Sequence, residues 1–146
     1  MFAKQDWDWL VINSHYQTAL AVREALKEGK IQEVCEGLNA LIEAMEKSEK
    51  LAIKSQLTTL MTYVIKWKLW SAERCSDWAL NINRARGEIE DSQEEVPCLG
   101  RDFIESIWEK HFSRAKEYAE MEMGKDCDLI SLSWEEVFEE EYSLIK

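Results

Sequence analysis

The chain has 146 residues, 46% of them hydrophobic and 32% charged, with a formal net charge of −11. Its apolar content, with seven Trp, four Tyr and four Phe, excludes disorder as a default, and its length suits one domain on the usual scale of roughly 100–200 residues. Five Gly and one Pro exclude the turn-rich sandwiches and barrels, leaving a single all-α domain over 1–146 as the expectation.

In chain order, Asp6 or Asp8 is placed to cap a first helix over about 7–28. Along it Trp9, Ile12, Tyr16, Ala19, Leu20 and Leu26 recur at helical spacing, and Gly29 supplies a left-handed stop. Val34, Leu38, Leu41, Ile42 and Met45 mark a second helix over about 34–46, with Gly37 a weak point in it. Ser48 is then expected to cap a third. Leu51, Ile53, Leu57, Leu60, Met61, Val64, Ile65 and Trp67 give that helix a wide apolar face, so it should be central.

Polar "SAERCS" interrupts the pattern, and Ser76 or Asp77 opens a fourth helix along Trp78, Ile82, Ala85 and Ile89. Acidic "EDSQEEVPCLG" reads as a loop around Pro97. Phe103, Ile104, Ile107, Trp108, His111, Phe112, Ala115 and Ala119 form a fifth helix that stops at Gly124. Ser133-Trp134-Glu135-Glu136 is a capping box for a short last helix through Val137, Phe138 and Tyr142. The expected architecture is one compact bundle of about six helices.

No apolar run approaches the roughly 18 residues that cross a bilayer. "MFAKQDWDWL" also lacks the basic-then-apolar order of a leader, so a cytoplasmic protein without a membrane segment is expected. Cys35, Cys75, Cys98 and Cys127 lie 40, 23 and 29 residues apart, without metal-knuckle or redox spacing. They read as buried free thiols in a reducing compartment. His15 and His111 lack a Cys or Ser partner in any local motif, and His111, on an apolar stripe, reads as an interior histidine. No Glu-x-x-His pair and no Gly-rich phosphate loop occurs. The balance therefore leans away from an enzyme, and no cofactor or structural metal is expected. Glu36 and Glu43, two turns apart on one face, keep a carboxylate metal site as an alternative to solvated glutamates.

Charge is unevenly placed. Residues 1–87 hold 12 basic and 11 acidic side chains, residues 88–146 hold 6 and 18, and the window 50–86 holds seven bases against Glu73 and Asp77. The focus is "KWKLWSAERCSDW". Lys66 and Lys68 suit the negative end of a helix dipole. Trp67 and Trp78 continue apolar stripes. Arg74 and Arg86, with planar guanidinium groups that grip carboxylates and phosphates or stack on indole, complete a candidate binding corner of Lys66, Trp67, Arg74, Trp78 and Arg86. The same corner could instead clamp the acidic second half of its own chain, which is the favoured alternative.

"MEKSEKLAIKSQLTTLMTYVIKW", "ERCSDWALNINRARGEI", a Pro-containing loop and "SRAKEYAEMEMG" together resemble domain of unknown function family 29, a small all-α bacterial family abundant in cyanobacteria. The likeness runs from about Trp9 to Tyr142 and rests on order and spacing, with Ser48, Glu49, Ala52, Leu57, Lys66, Trp67, Arg74, Trp78, Ile82, Arg86, Ile89, Ala115, Ala119, Glu122 and Gly124 its most specific positions. It implies a compact helical domain with no established activity. The chain departs from the family pattern at Tyr63, where a histidine is common, at Ala40, where a glutamate is common, and near Ser71, where a proline is usual. An ion held by that histidine and those glutamates would bind this member poorly.

These features favour a non-enzymatic module that binds an unknown protein partner or a second copy of itself. One alternative is nucleotide or nucleic-acid binding through the 66–86 corner, which the net charge disfavours. Others are a carboxylate-based metal protein and an acidic antitoxin or DNA mimic built on residues 88–146.

Overall fold

A computed structural model of the chain describes residues 6–145, and among these no strand occurs. The described residues divide into two compact units between Ser48 and Glu49.

The first unit contains α1 (Trp7–Asn13), α2 (His15–Lys27) and the opening of α3 (Ile31–Leu69). The single helix expected over 7–28 is therefore two. Asp6 caps α1 by accepting the Trp9 N–H at 3.1 Å. Asn13 and Ser14 then compete with the helix for its hydrogen bonds. Asn13 Nδ2 donates to the Trp9 carbonyl, Ser14 takes an extended backbone, and its hydroxyl accepts the Gln17 N–H at 3.0 Å to cap α2. Gly29, with φ +75°, provides the anticipated left-handed stop.

Gly37 proves to be a required close approach instead of a weak point. A Cβ there would lie 2.6 Å from Val22 Cγ2 and 2.8 Å from the Trp7 ring. Nor does α3 break at Ser48: it runs 39 residues without interruption, replacing the two helices expected on either side. Residues 46–50, Glu-Lys-Ser-Glu-Lys, contain neither Gly nor Pro. Glu43/Lys47 and Glu46/Lys50 also have the i,i+4 order that supports a helix.

The second unit contains the rest of α3, α4 (Ser76–Glu95), α5 (Arg101–Ser106), α6 (Trp108–Met123) and one π-helical turn, Glu135–Glu139. Ile53, Leu57, Leu60, Met61, Val64 and Ile65 of α3 are fully buried against Ile82, Ile89, Ile104, Ala115 and Val137. Each large aliphatic side chain contributes about 1.5–3 kcal/mol as an upper figure. The central role foreseen for this part of α3 is what the core displays.

The acidic stretch expected as a loop is largely helix. Glu and Gln favour helix, and α4 ends only at Val96, which Pro97 pushes to φ −129°, ψ 86°. The fifth helix expected is interrupted at Ile107. There the Ser106 hydroxyl takes the Phe103 carbonyl, and the Ile107 N–H turns to Ile104. Gly124 ends α6 at φ +67°. Ser133 and Glu136 form the reciprocal capping box, at 2.9 and 3.1 Å, but the turn closes at Glu139 and Tyr142 lies beyond it.

The segment after α6 is held by aromatic packing. Trp108 Nε1 donates to the Leu132 carbonyl at 3.0 Å, and the Trp134 ring lies 5.6 Å from that of Trp108 and 4.4 Å from that of Phe138. All four cysteines are free, but only Cys127 is buried, and Cys35 and Cys98 are exposed. Among the described residues no helix is long and apolar enough to cross a membrane.

Candidate functional site

Three features of the structure bear on function, the first being the 66–86 corner. Lys66 is 7% exposed, with Nζ 2.6 Å from a Glu122 carboxylate oxygen and over the Tyr63 and Trp78 rings. Trp67 is buried edge-on to Tyr142. Arg74 is exposed; its guanidinium stacks on Trp67 at 5.0 Å and its Nε donates to the Trp67 carbonyl at 2.7 Å, closing the end of α3. Arg86 is half-buried, its Nε donates to the Val137 carbonyl at 2.8 Å, and its Nη2 has no partner. Burial lowers the Arg86 pKa, against the opposing pull of Tyr142 and Glu140.

Beside the corner, Lys68 reaches Glu136 at 3.0 Å and Glu140 at 3.3 Å. Burial works against its ammonium, but Glu136, Tyr142 and Glu140 hold its pKa above the ordinary lysine value. Tyr142 is pushed up to about 12, chiefly by burial and secondarily by Glu140. All five candidate residues thus sit in one neighbourhood, and the lysines meet carboxylates from the acidic second half of the chain.

The second feature lies between α3 and α6. A groove of about 640 Å³ is lined by Lys54, Ser55 and Thr59 of α3 and by Lys110, His111 and Arg114 of α6. Tyr63, Tyr118 and Glu122 line it as well, Glu122 being the partner of Lys66. His111 is 2% exposed, its Nδ1 lies 2.8 Å from the Thr58 hydroxyl, and its Nε2 has no partner. Burial, then the charges of Arg114, Lys110 and Lys54, push its pKa below the ordinary histidine value. The interior position expected of His111 is what the structure displays, though only one of its two nitrogens is satisfied. This groove is absent from the sequence-based candidates. Its visible signal is the i,i+4 ladder Lys110, Arg114, Tyr118, Glu122 along one face of α6.

The third feature is the outer face of α3 in the first unit. Ile31, Leu38, Ile42 and Met45 are 59%, 43%, 51% and 39% exposed, and Cys35 among them is exposed too. Positions 31, 35, 38, 42 and 45 alternate spacings of four and three, the repeat of a coiled-coil seam. Trp9, Ile12 and Tyr16 are also exposed, although their spacing pointed to a buried stripe. Glu36 and Glu43 line a separate acidic cleft with Asp6 and Asp8. Among the described residues no group of three or more His, Cys, Asp or Glu is placed to hold a metal ion.

Residues 14–143 match the family model described as Domain of unknown function DUF29, and the chain belongs to that family. No curated protein and no solved structure matches it.

Proposed function

We propose that this DUF29 member is a non-enzymatic interaction module whose partner is a second copy of the same chain, joined along the outer face of α3. The observation that supports this is the run Ile31, Cys35, Leu38, Ile42 and Met45, apolar, exposed and spaced at 3.5 residues on average. An exposed apolar strip of this kind is costly to leave in water. A seam with that repeat fits an identical seam, because each knob enters a hole made by residues of its own type.

Charge favours the same occupant. The chain carries −11 overall, yet the seam itself contains no charge, and of the flanking residues Gln32, Asn39 and Glu46 only the last is charged, so the apolar contact itself buries no charge. The 66–86 corner supports a structural role in this reading. Its lysines are paired with Glu122, Glu136 and Glu140, and Trp67 and Trp78 are buried.

The test is differential alkylation of the native protein across a concentration series, with Cys98 as an exposed internal control. Cys35 should become protected as concentration rises while Cys98 does not, and Leu38→Glu should abolish that protection. Equal labelling of both thiols at every concentration contradicts the assignment.

A further inference from the structure

We propose that the groove between α3 and α6 is a binding site for a phosphate group, carried by a small organic molecule or free in solution. The site is independent of the α3 seam.

The first support is its charge. Lys54, Lys110 and Arg114 line the groove, and among the described residues none of the three forms an ion pair. The one carboxylate in the lining, Glu122, is engaged by Lys66 at 2.6 Å. In a chain of net charge −11, three unpaired cations converging on one cleft are a local reversal of sign. Among the described residues Lys47, Lys50, Lys116 and Lys125 likewise form no ion pair, so what distinguishes these three cations is that they line one cleft together.

The second support is chemical. Ser55 and Thr59 add hydroxyl donors to the same lining. The hydroxyls of Thr58 and Thr62 instead bond back to the carbonyls of Lys54 and Thr58. Phosphate oxygens suit such a mixed set of ammonium, guanidinium and hydroxyl donors, since charge-assisted hydrogen bonds are the strong ones.

The third is His111. With the Thr58 hydroxyl donating to the Lys54 carbonyl, that oxygen accepts from Nδ1–H, and Nε2 is left with a bare lone pair in a buried position. A buried polar atom without a partner costs about 1–3 kcal/mol. Protonation would turn Nε2 into a donor. It is opposed by burial and by Lys54 from α3 and Lys110 and Arg114 from α6, with Glu122 the only acidic side chain in the lining. An anion in the groove offsets those three charges, so phosphate binding and protonation of His111 favour each other.

The volume, about 640 Å³, exceeds what a bare phosphate needs and lies within the range of small-molecule sites. Tyr63 and Tyr118 are available to cover an organic group attached to the phosphate.

The experiment follows the His111 imidazole resonances in the full-length protein at low ionic strength, titrating phenyl phosphate, inorganic phosphate and, as a neutral control, phenol. Saturable shifts with either phosphate, a raised His111 pKa in the bound state and no response to phenol are expected. Tighter binding of phenyl phosphate identifies an ester as the better ligand, and equal binding identifies free phosphate. Arg114→Ala and Lys110→Ala alter exposed side chains and should retain the fold while weakening binding by about tenfold or more each. No saturable response to either phosphate at millimolar concentration overturns the proposal. So does binding unchanged in both variants.

Discussion

Lys66 Nζ lies 2.6 Å from a Glu122 carboxylate oxygen and only 4.6 Å from the centroid of the Trp78 ring, so an ammonium on α3 is enclosed by an acid from α6 and an indole from α4. The arrangement ties three helices of the second unit through one nearly buried charge. Replacing Glu122 by Gln removes the countercharge and leaves that ammonium an amide oxygen and two π faces, and should cost about 1–2 kcal/mol, below the 3–5 of a fully buried pair because Glu122 is half exposed. Lys66→Met keeps the apolar stem, removes the charge and should cost less than Glu122→Gln. Urea unfolding of the two variants checks the order, and the reverse order would contradict the arrangement.

Two glycines inside helices should respond with opposite sign to the same substitution. Gly37→Ala drives a methyl group to 2.6 Å from Val22 Cγ2 and 2.8 Å from Trp7, and should destabilise by about 1–3 kcal/mol despite the better helix propensity of Ala. Gly87→Ala meets nothing within 4 Å and should stabilise by about 0.5–1 kcal/mol. Thermal melts of both variants measure the contrast.

Stability should fall at both ends of the pH range for different reasons. Tyr142 holds its proton up to about 12 in the folded chain, against about 10 when unfolded, so its contribution is complete below pH 10 and is lost as pH rises through 12. Absorbance at the phenolate band should show a late step that Tyr142→Phe removes. A titration without that step counts against the enclosure of Tyr142. His111 has the opposite sense. Its folded pKa lies below the unfolded 6.5, so its contribution is complete above pH 6.5 and is lost as pH falls through the folded value. His111→Gln should flatten the acid limb of the stability curve between those values.

Much of the fold was legible because helical periodicity and caps are local signals. Gly29, Gly124, Asp6 and the Ser133–Glu136 box end or open elements where their chemistry requires. The helix breaks at Ser14 and Ile107 were not legible, since they depend on which side-chain group captures a backbone partner. Ser48 misled in the opposite direction: a good cap residue remains inside a helix when nothing nearby ends it. Periodicity alone marked Trp9, Ile12, Leu38 and Ile42 as apolar stripe, but burial is set by what packs over the stripe. The 66–86 corner was visible as composition, whereas the partners of Lys66 and Lys68 lie more than fifty residues away in sequence. The groove around His111 required the pairing of two helices, and α6 supplies only half of it.

Sedimentation velocity of the wild-type chain beside Leu38→Glu tests self-association along α3, since Leu38 is exposed and its replacement spares the buried residues. A concentration-dependent monomer–dimer equilibrium is expected for the wild type and a monomer for the variant at every concentration. A wild type that stays monomeric throughout, or a variant that dimerises as well as the wild type, would contradict it.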